Sequence, residues 1–313
     1  MSFENIIGQN AAVNSLKGII AQDTARGSYL FFGPDGVGKR TTAIEFAKAI
    51  NHDDVASRKI DSGNHPDVFI IYPERKAGSI KIEKIREMIY QASLKPYEAK
   101  KRICIVSDAE AMTLEAQNAL LKLLEEPPQN HIFILTASNA SALLPTVLSR
   151  CKVLKFYSLG HDMIQEFLKA QDMEEKEAML FSHMAMGSLG RAMELKEGDI
   201  IARRDQVVND FFLRKSALLK ESVLSGDSVK NIGESLYMLL CWYRDLLVSK
   251  FTQSPDELLN ADRSREIFSY ASRFSREKLE KDVLAIIKAI GHARANVNPK
   301  IALFNLAVEL KRG

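Results

Sequence analysis

Residues 28–41 of the chain read SYLFFGPDGVGKRT, a β-rich run that leads into a glycine-rich loop ending in a lysine. A helical pattern follows over residues 41–50. This order of strand, glycine loop and helix is typical of a P-loop, where backbone N–H groups, the helix N-terminus and the lysine bind phosphate. A glycine turn before an ordinary core helix does not explain a lysine at this spacing. We therefore predict a phosphate loop with these nucleotide-binding candidates: Gly33, Gly36, Gly38, Lys39, Arg40 and Thr41.

The position after the loop lysine departs from the P-loop pattern. A Ser or Thr hydroxyl at this position binds Mg²⁺, whereas this chain has Arg40. Thr41 is not a simple substitute, because one residue along a helix turns the side chain by about 100°. An arginine can attract phosphate but repels Mg²⁺. We expect a degenerate loop that binds ATP or ADP weakly if at all, requires no cofactor and does not support hydrolysis.

The strand predicted to begin at Arg102 lacks part of a second ATPase motif at its end. P-loop ATPases place acidic residues there, which hold Mg²⁺ and polarise water. Here the strand runs into Ser107, Asp108 and Ala109. If Ser107 replaces the metal-binding Asp, that ligand is lost; if Asp108 takes its place, Ala109 replaces the water-activating residue. We interpret Ser107 and Asp108 as a degenerate acidic motif, and a plain turn role for Asp108 stays open.

Short β-rich runs alternate with amphipathic helical patterns in the first half of the chain. The runs are residues 28–32, 68–72, 102–107 and 131–137. Such alternation predicts a parallel α/β sheet. After about Phe156 apolar residues recur at helical spacing, which predicts a helical second half. We expect three domains: an α/β nucleotide-binding domain (1–158), a small helical lid domain (159–200) and a helical C-terminal domain (201–313).

Composition restricts the class of protein without identifying partners. The chain has 313 residues, 46% of them hydrophobic, and a formal net charge of +3. This charge is too small to indicate a nucleic-acid binder by itself. The sequence has no apolar window of membrane-spanning length and no signal peptide pattern, so we expect a cytoplasmic protein without membrane contact. The three cysteines, Cys104, Cys151 and Cys241, lack the spacing of a disulfide framework or a zinc site.

Several segments of the first half resemble the clamp-loader branch of the AAA+ family. They are residues 3–9 (FENIIGQ), 118–128 (NALLKLLEEPP) and 144–151 (LPTVLSRC). The resemblance implies an AAA+ P-loop domain, a helical lid and a helical collar that assembles a ring. It also implies that Arg150 is an arginine finger that reaches the ATP site of the adjacent subunit. An arginine suits this role because its charge is permanent and its planar fork matches phosphate oxygens.

Other segments look more like an inactive subunit of that family than like its ATPase motor. They are residues 62–68, 187–192, 242–247 and 296–300. Gly190 occupies the position of the motor's nucleotide-sensing arginine. The zinc module of four cysteines that is common in the family is missing from residues 51–60, so we predict no zinc and no other metal. We interpret His52 and His65 as residues of a solvated loop and a turn.

The resemblance implies a non-hydrolysing subunit of the DNA polymerase III clamp loader. Its partners would be the motor subunits (gamma/tau) and the delta subunit in a hetero-oligomeric ring, the sliding clamp, and primer-template DNA contacted through its backbone. Two alternatives stay open: an active ATPase motor of the gamma/tau type, and a freestanding AAA+ regulator. Lys81, Lys84 and Arg86 are candidates for DNA contact, although a solvated helix face is the commoner role of such residues.

Overall fold

The computed structural model describes residues 3–74, 78–198, 200–209, 229–294, 305–306 and 308–310. The chain divides into two compact units. The first contains residues 1–163 and 187–190, and the second contains residues 164–186 and 191–313. The three-domain division at residues 158 and 200 stays a prediction, and the segment at residues 296–300 lies outside the described residues.

A five-stranded parallel sheet forms the centre of the first unit, with the strand order β2-β3-β4-β1-β5. The strands are β1 (Gly27–Phe32), β2 (Val68–Ile71), β3 (Arg102–Val106), β4 (His131–Ala137) and β5 (Lys152–Lys155). The predicted parallel α/β sheet is therefore confirmed, and its first four strands lie within one residue of the predicted bounds.

Strand β5 is a strand that the sequence analysis did not predict. It has four residues, begins and ends with lysine, and most of its side chains are exposed. It pairs with β1 at the edge of the sheet. Since strand prediction relies on buried or alternating apolar residues, a short exposed edge strand gives too weak a pattern.

Helices cover both faces of this sheet. They are α1 (Asn10–Ala21), α2 (Lys39–Ile50), α3 (Asp54–Asp61), α4 (Ile82–Ala92), α5 (Leu114–Glu125) and α6 (Pro145–Leu148). Leu30 and Phe31 are neighbours in β1 but belong to separate buried clusters, as do Ile103 and Cys104 in β3, because successive side chains of a strand point to opposite faces. Strands β3 and β4 are buried along their whole length, as expected for a parallel sheet with two covered faces.

The bounds of α5 follow recognisable start and stop signals in the sequence. The Thr113 hydroxyl accepts a hydrogen bond from the backbone N–H of Ala116 at 3.3 Å, which satisfies one of the unpaired donors at the helix start. The helix ends two residues before Pro127, whose preceding residue is disfavoured in helical conformation. A capping hydroxyl and a following proline therefore define the two ends of this helix.

The described part of the second unit is helical, as predicted for the second half of the chain. The helices from residue 161 onward are α7 (His161–Lys169), α8 (Glu175–Met184), α9 (Leu189–Glu197), α10 (Ile200–Val208), α11 (Val229–Val248), α12 (Ser264–Ala271) and α13 (Arg276–Arg294). Helix α11 packs against α13, and Trp242 and Leu246 of α11 are fully buried, as are Leu279 and Ile286 of α13. Within the ranges described, no helix has the length and apolar character needed to span a membrane.

The three cysteines carry free thiols. Burial raises the pKa of each of them, Cys104, Cys151 and Cys241, to about 12. A buried thiol that stays protonated at neutral pH packs as a small apolar group.

Candidate functional site

The predicted phosphate loop connects β1 to α2 at the carboxyl end of the sheet. Gly36 and Gly38 have φ angles of +69° and +97°, which favour glycine. At Gly33 an added Cβ would lie 2.2 Å from the carbonyl oxygen of Phe156, so no side chain fits there. The Thr42 hydroxyl donates to the Gly38 carbonyl at 2.8 Å in the first turn of α2. The local geometry therefore favours glycine at all three positions, and nucleotide binding itself stays a prediction.

Lys39 is buried and folded onto the loop. Its Nζ donates to the carbonyl oxygens of Gly33 at 2.6 Å and Pro34 at 2.7 Å, and lies 3.6 Å from an Asp35 carboxylate oxygen. Burial lowers the pKa of Lys39, while the nearby carboxylates, with Asp35 foremost, act against this. Of the three N–H donors of this ammonium, two are used by loop carbonyls and one is left for Asp35 or a phosphate.

Arg40 and Thr41 are exposed on the first turn of α2. The Arg40 guanidinium lies over the ring of Tyr72, with its central carbon 5.5 Å from the ring centroid, a distance at which cation–π attraction acts. The position that supplies a metal-binding hydroxyl in a P-loop ATPase thus carries a cation held against the residue that follows β2. This placement is consistent with a loop that lacks a Mg²⁺ site.

Ser107 and Asp108 lie at the carboxyl end of β3. The Ser107 backbone N–H donates to Ile71 at 2.9 Å and continues the sheet, and its side chain is buried. Asp108 has a φ of +53° and its N–H donates to the Thr136 hydroxyl at 3.0 Å. Desolvation raises the pKa of Asp108, and the neighbouring carboxylate of Glu110 adds to this effect. The last residue that continues the sheet at this end of β3 is therefore Ser107. Asp108 follows it with a left-handed backbone conformation.

Glu110 is a site residue that the sequence analysis did not single out. Its carboxylate accepts hydrogen bonds from the backbone N–H of Ser138, at 2.7 Å, and from the Ser138 hydroxyl. Ser138 directly follows β4, so this contact joins the ends of two neighbouring strands. The carboxyl ends of parallel strands meet at one edge of a sheet. The sequence signal for this contact was therefore the presence of polar residues just after two predicted strands.

Residues 187–190, which belong to the first unit, contact the phosphate loop directly. The Gly190 N–H donates to the Gly36 carbonyl at 2.9 Å. A Cβ added at Gly36 would lie 2.1 Å from the Ser188 hydroxyl oxygen, and one added at Gly190 would lie 3.1 Å from the Gly36 Cα. Two glycines thus meet backbone to backbone where the related motor subunits are expected to carry a sensing arginine.

Arg150 follows α6 and makes its contacts away from the loop. Its Nε and Nη2 donate to one carboxylate oxygen of Glu125, at 3.0 and 2.8 Å. Its Nη1 donates to the Thr146 carbonyl at 3.1 Å. The side chain keeps 30% of its surface exposed. The structure therefore groups Lys39, Asp108 and the loop glycines at one site and places Arg150 with Glu125 at another.

The segment at residues 62–68 has a structural role that the sequence did not reveal. Asp67 is fully buried and accepts hydrogen bonds from the backbone N–H groups of Tyr97, Glu98 and Ala99 at 2.8 to 2.9 Å. It also pairs with the Arg102 guanidinium at 2.7 Å. Burial alone would raise the pKa of Asp67, but these hydrogen bonds outweigh it and lower the pKa to about 2.

His65 shapes the turn before β2. Its Nδ1 accepts from the Asp67 N–H at 3.0 Å, in agreement with the turn role expected from the sequence. Over the residues that the structure describes, no group of three or more His, Cys, Asp or Glu side chains could hold a metal ion. The absence of zinc from the protein stays a prediction.

Comparisons with known proteins show that the sequence is similar to subunits of DNA polymerase III. Residues 8–160 match a family model described as "DNA polymerase III, delta subunit", and residues 199–312 match "DNA polymerase III, delta subunit, C terminal". The DNA polymerase III subunit delta' of Bacillus subtilis is 30% identical over 311 residues, which cover 94% of this chain and 93% of that protein. The tau subunit of the same organism is 25% identical over 85% of this chain and 53% of its own length.

A solved structure similar to this chain is that of a gamma-subunit-related protein of DNA polymerase III from Thermotoga maritima. It is 21% identical, with a TM-score of 0.49, and the match covers 96% of this chain and 99% of that one.

Proposed function

Because the chain belongs to the DNA polymerase III delta' subunit family, we propose that it is a non-hydrolysing subunit of a clamp-loader ring. In this proposal it assembles with motor subunits (gamma/tau) and a delta subunit. The assembly loads a sliding clamp onto primer-template DNA, which is contacted through its backbone. Arg150 serves the ATP site of the adjacent motor subunit.

The observation that carries this proposal is the state of the chain's own phosphate loop. Arg40 stands where a metal-binding hydroxyl is required and lies on Tyr72. Lys39 is bonded to loop carbonyls, and Gly190 is bonded to Gly36. Phosphoryl transfer depends on Mg²⁺ and on charge stabilisation around the phosphates. A loop with these features supports a role in the ring other than ATP hydrolysis.

Arg150 supports a role at a neighbour's site. Its guanidinium is partly exposed and its hydrogen-bonding partners are Glu125 and Thr146 rather than the loop. A permanently charged planar group at the surface can bind the phosphate oxygens of a nucleotide held by another subunit. An arginine finger contributes on the order of 10³ to 10⁵ in rate at the site that it serves.

The test is Arg150→Ala in a reconstituted clamp-loader complex. We expect total ATPase activity to fall in part, since only one of several ATP sites loses its finger, and clamp loading to fall more. The complex should still assemble, because one partly exposed arginine contributes little to a large interface. Arg58→Ala, which removes another exposed arginine of the same unit, is the matched control. Wild-type ATPase and loading in an intact Arg150→Ala complex would contradict the proposal.

An active motor of the gamma/tau type is the second candidate. Gly36 and Gly38 have the left-handed φ angles that a glycine-rich loop permits, and the tau subunit is similar in sequence over most of the chain. An ATPase assay of the isolated chain separates the two candidates, because a motor subunit carries its own metal-binding and water-activating residues.

A further inference from the structure

We propose that Glu125 is the positioning residue for Arg150: it holds the guanidinium ready in a fixed rotamer and leaves the phosphate-binding donors free. This inference rests on the proposed function of Arg150. It assigns a task to the carboxylate at the end of α5, which the proposed function does not use.

The geometry of the pair is specific. Nε and Nη2 of Arg150 both donate to the same oxygen, Oε2 of Glu125, at 3.0 and 2.8 Å. Nη1 donates to the carbonyl oxygen of Thr146 at 3.1 Å. The side chain is therefore attached at three nitrogens to two elements, the end of α5 and the short helix α6. These contacts leave the guanidinium little rotational freedom.

The hydrogen-bond count shows that this arrangement leaves the finger usable. A guanidinium has five N–H donors, one on Nε and two on each terminal nitrogen. Three donors are used by Glu125 and Thr146. One donor remains on Nη1 and one on Nη2. Two donors on the two terminal nitrogens can bind two oxygens of a phosphate in the bidentate manner typical of arginine.

A contribution to folding stability does not explain the ion pair between Glu125 and Arg150. The Glu125 side chain is 58% exposed and Arg150 is 30% exposed, and exposed ion pairs contribute little to folding because solvent screens them. Holding a long side chain in one rotamer before assembly has a different benefit. The side chain then loses less conformational entropy when the guanidinium binds the phosphate.

The experiment compares Glu125→Ala, Glu125→Gln and Arg150→Ala in the reconstituted complex. The quantity measured is the Arg150-dependent ATPase rate. For each complex it is the ATPase rate of that complex minus the rate of the Arg150→Ala complex. We expect Glu125→Ala to lower this rate about three- to tenfold, as estimated from the cost of ordering one long side chain. The KM for ATP should not change, because the finger acts in the transition state. Glu125→Gln keeps an oxygen that can accept from Nε and Nη2, and should retain most of the rate.

Two controls make the outcome specific. Glu126→Ala removes the adjacent exposed carboxylate of the same helix end and should leave the rate unchanged. In the Arg150→Ala background, Glu125→Ala should have no further effect, since a residue that acts only through Arg150 shows complete coupling in a double-mutant cycle. Stoichiometry of the complex is confirmed for each variant.

The outcomes separate this inference from the function on which it rests. If Arg150→Ala itself has no effect, the proposed function fails and the role of Glu125 fails with it. If Arg150→Ala lowers the rate while Glu125→Ala matches or exceeds the wild type, the finger stands and the positioning role is wrong. An equal loss for Glu125→Ala and Glu125→Gln would show that the charge, rather than the geometry of the pair, is what matters, and would also overturn the inference.

Discussion

Asp67 shows how much one buried carboxylate can organise. It fixes three consecutive backbone N–H groups of residues 97–99 and pairs with Arg102 at the start of β3. Three backbone donors of the loop that precedes β3 are therefore held by one ionised side chain. Its charge is compensated by five donors rather than by solvent.

Asp67→Asn should destabilise the folded chain by roughly 3 kcal/mol, as for the loss of one partner of a buried ion pair. Because the folded-state pKa of Asp67 lies at about 2, below its ordinary value of 3.8, its contribution is fully present above the unfolded pKa and is lost as the pH falls toward 2. Chemical denaturation of wild type and variant at several pH values between 7 and 2.5 measures this. The stability difference should shrink as the solution is acidified. A stability difference that is constant with pH would contradict the lowered pKa of Asp67. Asp256→Asn, which changes an exposed carboxylate, is the control.

Gly36 allows a second test by a single substitution. Gly36→Ala meets two costs, a left-handed φ of +69° and crowding of its Cβ by the Ser188 hydroxyl at 2.1 Å and the Gly190 backbone at 3.3 Å. Gly63→Ala meets only the first, since Gly63 has a φ of +70° and open space around it. We expect a loss of about 1 kcal/mol for Gly63→Ala and roughly 2 to 3 kcal/mol for Gly36→Ala, measured by chemical denaturation. Equal losses would show that the contact between the two glycines does not constrain the loop.

Site residues could be predicted from the sequence where a local motif identifies them. The glycines and Lys39 are recognised by spacing alone, and Arg40 by its departure from that spacing. Glu110 with Ser138 and Glu125 with Arg150 are different, because each pair joins residues 25 to 28 positions apart. No local pattern determines which side chains meet after the strands have paired.

Among whole elements, α5 carries its own start and stop signals, whereas β5 was not predicted from the sequence. Helix α5 has a side-chain cap, an apolar face and a proline after its end, so three independent signals agree. Strand β5 has exposed lysines and only four residues, and it is fixed by pairing with β1. Elements whose own residues specify them can be predicted from sequence, whereas those specified by a partner strand cannot.

The cap of α5 can be tested by Thr113→Ala. Removing the hydroxyl leaves the Ala116 N–H without its acceptor, so we expect a loss of about 1 kcal/mol. Thr113→Ser keeps the acceptor oxygen and should cost less than half of that. The free energy of unfolding in urea distinguishes the two variants. A Thr113→Ser variant as unstable as Thr113→Ala would mean that the methyl group, rather than the cap, stabilises this helix.

For the whole molecule, we expect the isolated chain to hydrolyse ATP no faster than background, with or without primed DNA. Arg40→Thr alone should not restore activity, because Ser107 still stands at the end of β3 and groups of one catalytic site depend on each other. The measurement is phosphate release by the purified chain and its variant. A turnover of about one per second, ordinary for an enzyme, would favour the motor-type alternative.

The protonated thiols of Cys104, Cys151 and Cys241 have a practical consequence. Maleimide dyes react with thiolates, and a thiol with a pKa of about 12 is ionised in only about one molecule in 10⁴ or 10⁵ at pH 7 to 8. A single cysteine introduced at an exposed position such as Glu126 would therefore take up a fluorophore much faster than the three native cysteines. The chain can carry an optical probe within one residue of Glu125 without first being stripped of its own cysteines.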